Sequence, residues 1–94
     1  MIGGFEKPRT ATDEIKDIAY QVRGEVQSRL NVNFDKFEAV SYRSQVVAGV
    51  NYLIKVDVGN GSFIHIKVFQ PLPYTNEGPS LSDVTIGKTL RDPL

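Results

Sequence analysis

Apolar residues recur at Ile15, Ile18, Ala19, Val22, Val26 and Leu30, one stripe at helical spacing with polar residues on the other faces. Thr12, just ahead of the stripe, is a good N-cap, and Asp13 and Glu14 suit the positive end of a helix dipole. Arg29 suits the last turn, and Asn31 can end it. The spacing predicts a helix over 12–31, in which Gly24 costs about 1 kcal/mol relative to Ala. Beyond it the period shortens to two. Over 37–46 the alternation is imperfect, with Val40, Tyr42 and Val46 assigned to one face. The next run, 50–58, is clean: Val50, Tyr52, Ile54, Val56 and Val58 face one way, and Asn51, Lys55 and Asp57 the other. Asn60-Gly61 signals a tight hairpin, after which Ile64, Ile66 and Val68 turn inward. Residues 71–79 hold Pro71, Pro73 and Pro79 and read as a connection, and a weak last strand covers 81–86 with Val84 and Ile86 apolar.

Residues 1–11 show no helical period and contain Gly3, Gly4 and Pro8, so they predict an extended arm ending in a short strand. One long amphipathic helix followed by consecutive hairpins predicts a single α+β domain over 1–94, without internal repeats. Each element is apolar on one side only, so helix and sheet can bury one another.

The segment Gln45-Val46-Val47-Ala48-Gly49 joins two predicted strands yet lacks ordinary turn chemistry. Hairpin turns favour Asn, Asp, Gly and Pro, whereas here two β-branched residues sit at the tip and only Gly49 supplies backbone freedom. Two readings stand. Either Val46 and Val47 continue a buried strand, or they form an apolar tip that meets a partner. Leu72-Pro73 is a second apolar tip, and Met1-Ile2-Gly3-Gly4 a third apolar segment whose glycines let the backbone pass close to another surface. In a meander the two hairpin tips lie at the same end of the sheet, and the arm can run there too.

Composition narrows the chemistry. Eleven basic and eleven acidic residues cancel without forming runs, which removes the electrostatic reason to expect nucleic acid or an anionic membrane. No cysteine is present, so no disulfide, thiol chemistry or zinc–thiolate cluster is expected. The start lacks a signal-peptide pattern and no apolar run approaches membrane-spanning length, so a cytoplasmic domain is expected. His65 is the only histidine and is expected as an ordinary surface residue. Asp13, Glu14 and Asp17 are explained by the helix dipole, and no glycine-rich loop opens a helix to cradle phosphate. Neither an enzyme nor a bound cofactor or metal is expected. The function expected is binding.

These residues carry a resemblance. A glycine arm, a Gln-Val-Val-Ala-Gly hairpin (45–49) and a later Leu72-Pro73 hairpin, in this order and at these spacings, are similar to the stefins, the type 1 cystatins. Ala11-Thr12, Glu14-Ile15, Glu38-Ala39-Val40, Ser44, Asn51-Tyr52, Ile54-Lys55-Val56 and Lys67-Val68-Phe69 extend the likeness over nearly the whole chain. Pro71 departs from the small polar residue expected before Leu72-Pro73, and the chain ends Arg91-Asp92-Pro93-Leu94 rather than in an aromatic tail. The resemblance implies a cystatin-like fold, a long N-terminal helix wrapped by a five-stranded antiparallel sheet. It implies reversible, tight-binding inhibition of papain-like cysteine proteases such as the cathepsins. The protease-binding residues it implies are Ile2, Gly3, Gly4, Gln45, Val46, Val47, Ala48, Gly49, Leu72 and Pro73. It also implies a monomer able to convert to a domain-swapped dimer. An engineered or diverged cystatin-fold scaffold binding a non-protease partner is the alternative, and the retained 45–49 segment argues against it.

Overall fold

The helix α1 forms over Asp13–Leu30, where the apolar stripe calls for it. The Thr12 hydroxyl accepts from the backbone N–H of Ile15 at 3.3 Å, and Asn31 closes the other end in the left-handed conformation, with φ 56°. This computed structural model describes residues 4–94. Among the described residues five strands accompany the helix: β1 (Arg9–Thr10), β2 (Glu38–Val47), β3 (Gly49–Gly59), β4 (Ser62–Gln70) and β5 (Ser80–Lys88). They form one antiparallel sheet in the order β1-β2-β3-β4-β5, so each strand neighbours the next in sequence. The α+β architecture expected from the pattern is the one observed.

Ile15, Ile18, Val22 and Val26 of α1 pack with Ile54, Val56, Ile66 and Val68, all of them buried. Fully burying such side chains is worth roughly 1.5–3 kcal/mol each, which makes this one layer the main source of stability.

Two strands depart from the simple alternation, and a β-bulge accounts for each. In β2, Ala39 pairs with Val56 while Ser41 pairs with Lys55, leaving Val40 as the extra residue. The inward positions are therefore Ala39, Tyr42 and Ser44, whereas Val40 is half-buried and Val46 is 71% exposed. Between β4 and β5 the register shifts where Lys67 pairs with Asp83 and Val68 with Leu81. Leu81 thereby enters the core, and the apolar Ile86 lies 62% exposed.

The outer face of the sheet is not simply solvated. Lys55, expected to face water, is buried, and its ammonium donates to the carbonyls of Leu90 and Asp92 at 2.6 and 2.5 Å. The segment after β5 is thus tied across the outer face of β3. Asp92 folds its own turn by accepting from Thr89 N at 2.7 Å and Thr89 Oγ1 at 3.1 Å. His65 lies directly across from Lys55 in the β3–β4 ladder. It is half-buried rather than an open surface residue, and among the described residues its Nε2 is enclosed without a hydrogen-bond partner. Burial holds its pKa below the ordinary 6.5, with Lys55 and Lys88 lowering it further and Asp92 opposing them.

Two measurements follow from this packing. Leu81→Ala should destabilise the fold by roughly 2–5 kcal/mol, and Ile86→Ala by less than about 0.5 kcal/mol, in urea unfolding. Equal effects would show that Leu81 is not the buried member of the two. For His65 the folded state resists protonation more than the unfolded chain does. Its contribution is complete above the unfolded value near 6.5 and is lost as pH falls below it. Stability should therefore decline as pH falls below about 6.5, and His65→Gln should flatten that slope, whereas an unchanged slope would remove His65 as its source.

Candidate functional site

The β2–β3 ladder runs almost to its apex. Val46 pairs with Val50 and Val47 with Gly49, so Ala48 alone lies outside the two strands. A reversal this tight needs one residue with unusual backbone geometry, and Gly49 supplies it at φ 121°. Neither valine adopts a positive φ, so the extended conformation that β-branched residues favour is retained up to the turn. Gly49 also lies close against the end of β4. A Cβ there would lie 2.6 Å from the Gln70 carbonyl oxygen and 2.9 Å from the Phe69 ring. Glycine is required twice over at this position, for its φ and for the space.

The valines emerge at the end of the sheet. Val46 is 71% and Val47 39% exposed, and Ala48 is exposed as well. Of the two readings of this segment, the exposed apolar tip is the one observed. Gln45, one step back, is half-buried, and its amide oxygen accepts from Asn51 Nδ2 at 3.2 Å.

The second tip lies alongside. Val50 pairs with Gln70 at the end of β4, which brings 70–73 beside Gly49 and Val50. Leu72 is half-buried and Pro73 exposed, opening a 3-10 turn over Pro73–Thr75. The Leu72 carbonyl accepts from both Thr75 N (3.0 Å) and Thr75 Oγ1 (2.8 Å), which stiffens the turn. Ile18 and Glu14 of α1 close a groove of about 410 Å³ behind the two tips, against Val50 and Leu72.

The arm runs to the same end. Ala11 N donates to Val40 O, Arg9 and Thr10 pair with Tyr42 and Ser41, and Glu6 N donates to Ser44 O at 2.8 Å. The arm is therefore antiparallel to β2 and heads toward the Val46–Val47 tip. Ser44, buried beneath it, donates to the Glu6 carboxylate at 3.1 Å and accepts from Arg9 Nη2 at 3.3 Å. The Arg9–Glu6 pair itself is exposed and contributes little. Gly4 is exposed, and the other two expected arm residues, Ile2 and Gly3, lie outside the described residues.

Sequence reasoning thus named both tips but missed three supporting residues. Phe69 underlies Gly49, Ser44 anchors the arm, and Tyr74, 80% exposed, extends the apolar surface of the second tip. An aromatic residue inside a Pro- and Asn-rich connection was the available signal for Tyr74. For Phe69 and Ser44 there was none, because both act through pairing partners distant in sequence. Among the described residues, no cluster of His, Asp or Glu could hold a metal ion, and no helix is long and apolar enough to cross a membrane.

The cystatin domain profile matches residues 3–90. Cystatin-A1 of Sus scrofa is 50% identical over 94 residues, covering all of this chain and 91% of that protein. Leukocyte cysteine proteinase inhibitor 1 of Sus scrofa is 46% identical over 94 residues, with coverage of 100% and 91%. Stefin-C of Bos taurus is 45% identical over 93 residues, covering 99% of this chain and 92% of that protein.

The close approach at Gly49 generates a prediction. Gly49→Ala should destabilise the protein by roughly 1–3 kcal/mol and shift the amide resonances of Phe69 and Gln70. Wild-type stability with unmoved Phe69 and Gln70 signals would mean that the two tips are not in backbone contact.

Proposed function

The chain belongs to the cystatin family of cysteine protease inhibitors, and from that premise we propose that it blocks the active-site cleft of papain-like enzymes reversibly, with its arm and two hairpin tips acting as one wedge. The observation that carries this reading is convergence. Val46, Val47 and Ala48 are exposed at one end of the sheet, the Leu72-Pro73 turn lies beside them, and the described part of the arm heads toward the same end. Ile2, Gly3 and Gly4 supply the arm's contribution, Gln45 and Gly49 shape the first tip, and Leu72 and Pro73 present the second.

Energetics favour joint action. A buried Val or Leu contributes roughly 1.5–3 kcal/mol, against an association cost of about 4–15 kcal/mol. Nanomolar affinity requires a net ~12 kcal/mol, so no single tip suffices and several anchors must dock together from a preorganised frame. The ladder that runs to Val47 and the doubly bonded Leu72 carbonyl provide that frame. A wedge that covers the nucleophile without offering a peptide bond in attack geometry inhibits without being cleaved. Titration of papain during hydrolysis of a small substrate tests the reading, with mass spectrometry checking that the inhibitor stays intact. Full enzyme activity at micromolar inhibitor overturns it.

The same apex suits domain exchange. Gly49 alone carries the reversal, and if it extends, β2 and β3 become one long strand. The segment through β2 could then pack on β3–β5 of a second chain while making the same core contacts. We propose a monomer under mild conditions and an exchanged dimer after heating.

Three outcomes are expected. Val47→Asp should weaken papain inhibition about a hundredfold or more while leaving the unfolding midpoint nearly unchanged, because a charge would enter an apolar contact but not the core. Removal of residues 1–4 should act mainly by faster dissociation, and identical dissociation rates would exclude the arm. A dimer isolated by size exclusion after heating should not inhibit papain, since its 45–49 segment is no longer a turn. A dimer as potent per chain as the monomer would place the exchange elsewhere.

A further inference from the structure

One side chain of β2 grips the arm by its backbone. Arg43 Nε donates to Glu6 O at 2.8 Å, and its Nη2 donates to Phe5 O at 3.2 Å, so a single guanidinium engages two consecutive arm carbonyls. Its Nη1 donates to Leu94 O at 2.9 Å. The segment bearing Leu94 is itself fixed, because buried Lys55 binds the carbonyls of Leu90 and Asp92. Arg43 is therefore held in place from the far side while it holds the arm. Around Glu6, the main-chain bond joining arm to β2 is Glu6 N to Ser44 O, and the Arg43 contacts reinforce it from the adjacent residue.

We infer that Arg43 is a positioning residue for inhibition, which orients the arm toward the target by clamping Phe5 and Glu6. The inference rests on the protease-inhibitor reading above. Gly4, exposed, is the next residue outward from this clamp. A guanidinium suits the task because its donors are fixed in one plane and remain charged at every relevant pH. Lysine offers one flexible ammonium and cannot reproduce three contacts to acceptors on two separate segments. Arg43 also lies beside the tip without belonging to it, so its effect on affinity passes through the arm.

A double-mutant cycle tests this. The dissociation rate of the papain complex is measured for the unsubstituted chain, Arg43→Gln, the chain lacking residues 1–4, and the truncated chain carrying Arg43→Gln. The substitution should accelerate dissociation roughly tenfold in the full chain and less than about twofold in the truncated one. Arg43→Lys should fall between Arg and Gln in the full chain. Equal acceleration in both backgrounds overturns the inference, because Arg43 would then act on the fold or on the protease directly. No acceleration in the full chain overturns it too. Hydrogen exchange of the free protein supplies a readout without protease: Arg43→Gln should speed exchange at the Glu6 amide and leave the Ile54 and Ile66 amides unchanged. Unaltered exchange at Glu6 refutes the clamp. Failure of the unsubstituted chain to inhibit papain would instead defeat the inhibitor reading, and exchange at Glu6 would still decide whether Arg43 holds the arm.

Discussion

The packing of one helical stripe against one face of an antiparallel sheet is the interaction on which everything else depends. Ile15, Ile18, Val22 and Val26 leave no apolar alternative for Ile54, Val56, Ile66 and Val68, and the reverse holds equally. Because each strand pairs with the next in sequence, that layer sends successive hairpin turns to alternate ends of the sheet. The β2–β3 and β4–β5 connections share an end for this reason alone, and the Asn60-Gly61 turn lies at the other. The proposed binding surface is thus a by-product of strand order around a helix.

At that end the protein uses its backbone more than its side chains. Gly49 allows β3 to start within contact of the β4 terminus, so the two tips are braced against each other rather than projecting separately. Ser44 and Arg43 tie the arm to the strand that carries the first tip. Apolar tips in water are unfavourable and would fold inward or recruit one another if they were free to move. The ladder keeps Val46 and Val47 extended and outward, where they are available for a partner. In the proposed complex such ordering would preserve affinity, since a surface ordered beforehand loses less entropy when it docks.

The opposite face of the sheet shows how a charged residue can serve as a fastener. Lys55 exchanges water for two main-chain carbonyls and draws the segment after β5 across β3. Its neighbour His65 is desolvated by the same covering. A residue that alternates with valines, and so reads as outward and wet, becomes structural because a later part of the chain returns to lie on it.

The sequence alone determined the helix and its caps, the identity of the strands, the order of the meander and both apolar tips. These features follow from local periodicity, from turn chemistry and from the requirement that one-sided elements bury their apolar sides. Which residues of β2 and β5 face the core was not legible, because one extra residue at Val40 and a shift near Leu81 reverse the alternation, and a bulge leaves no distinct mark in composition. Val46 could be read either as buried or as exposed until the fold left it 71% exposed near the apex of the β2–β3 ladder. Only the tertiary structure decided the burial of Lys55, the contact between Gly49 and the β4 end, and the grip of Arg43 on Phe5, Glu6 and Leu94. Each joins residues far apart in sequence, and such contacts are fixed by where the folded chain brings its segments together, which local patterns do not encode.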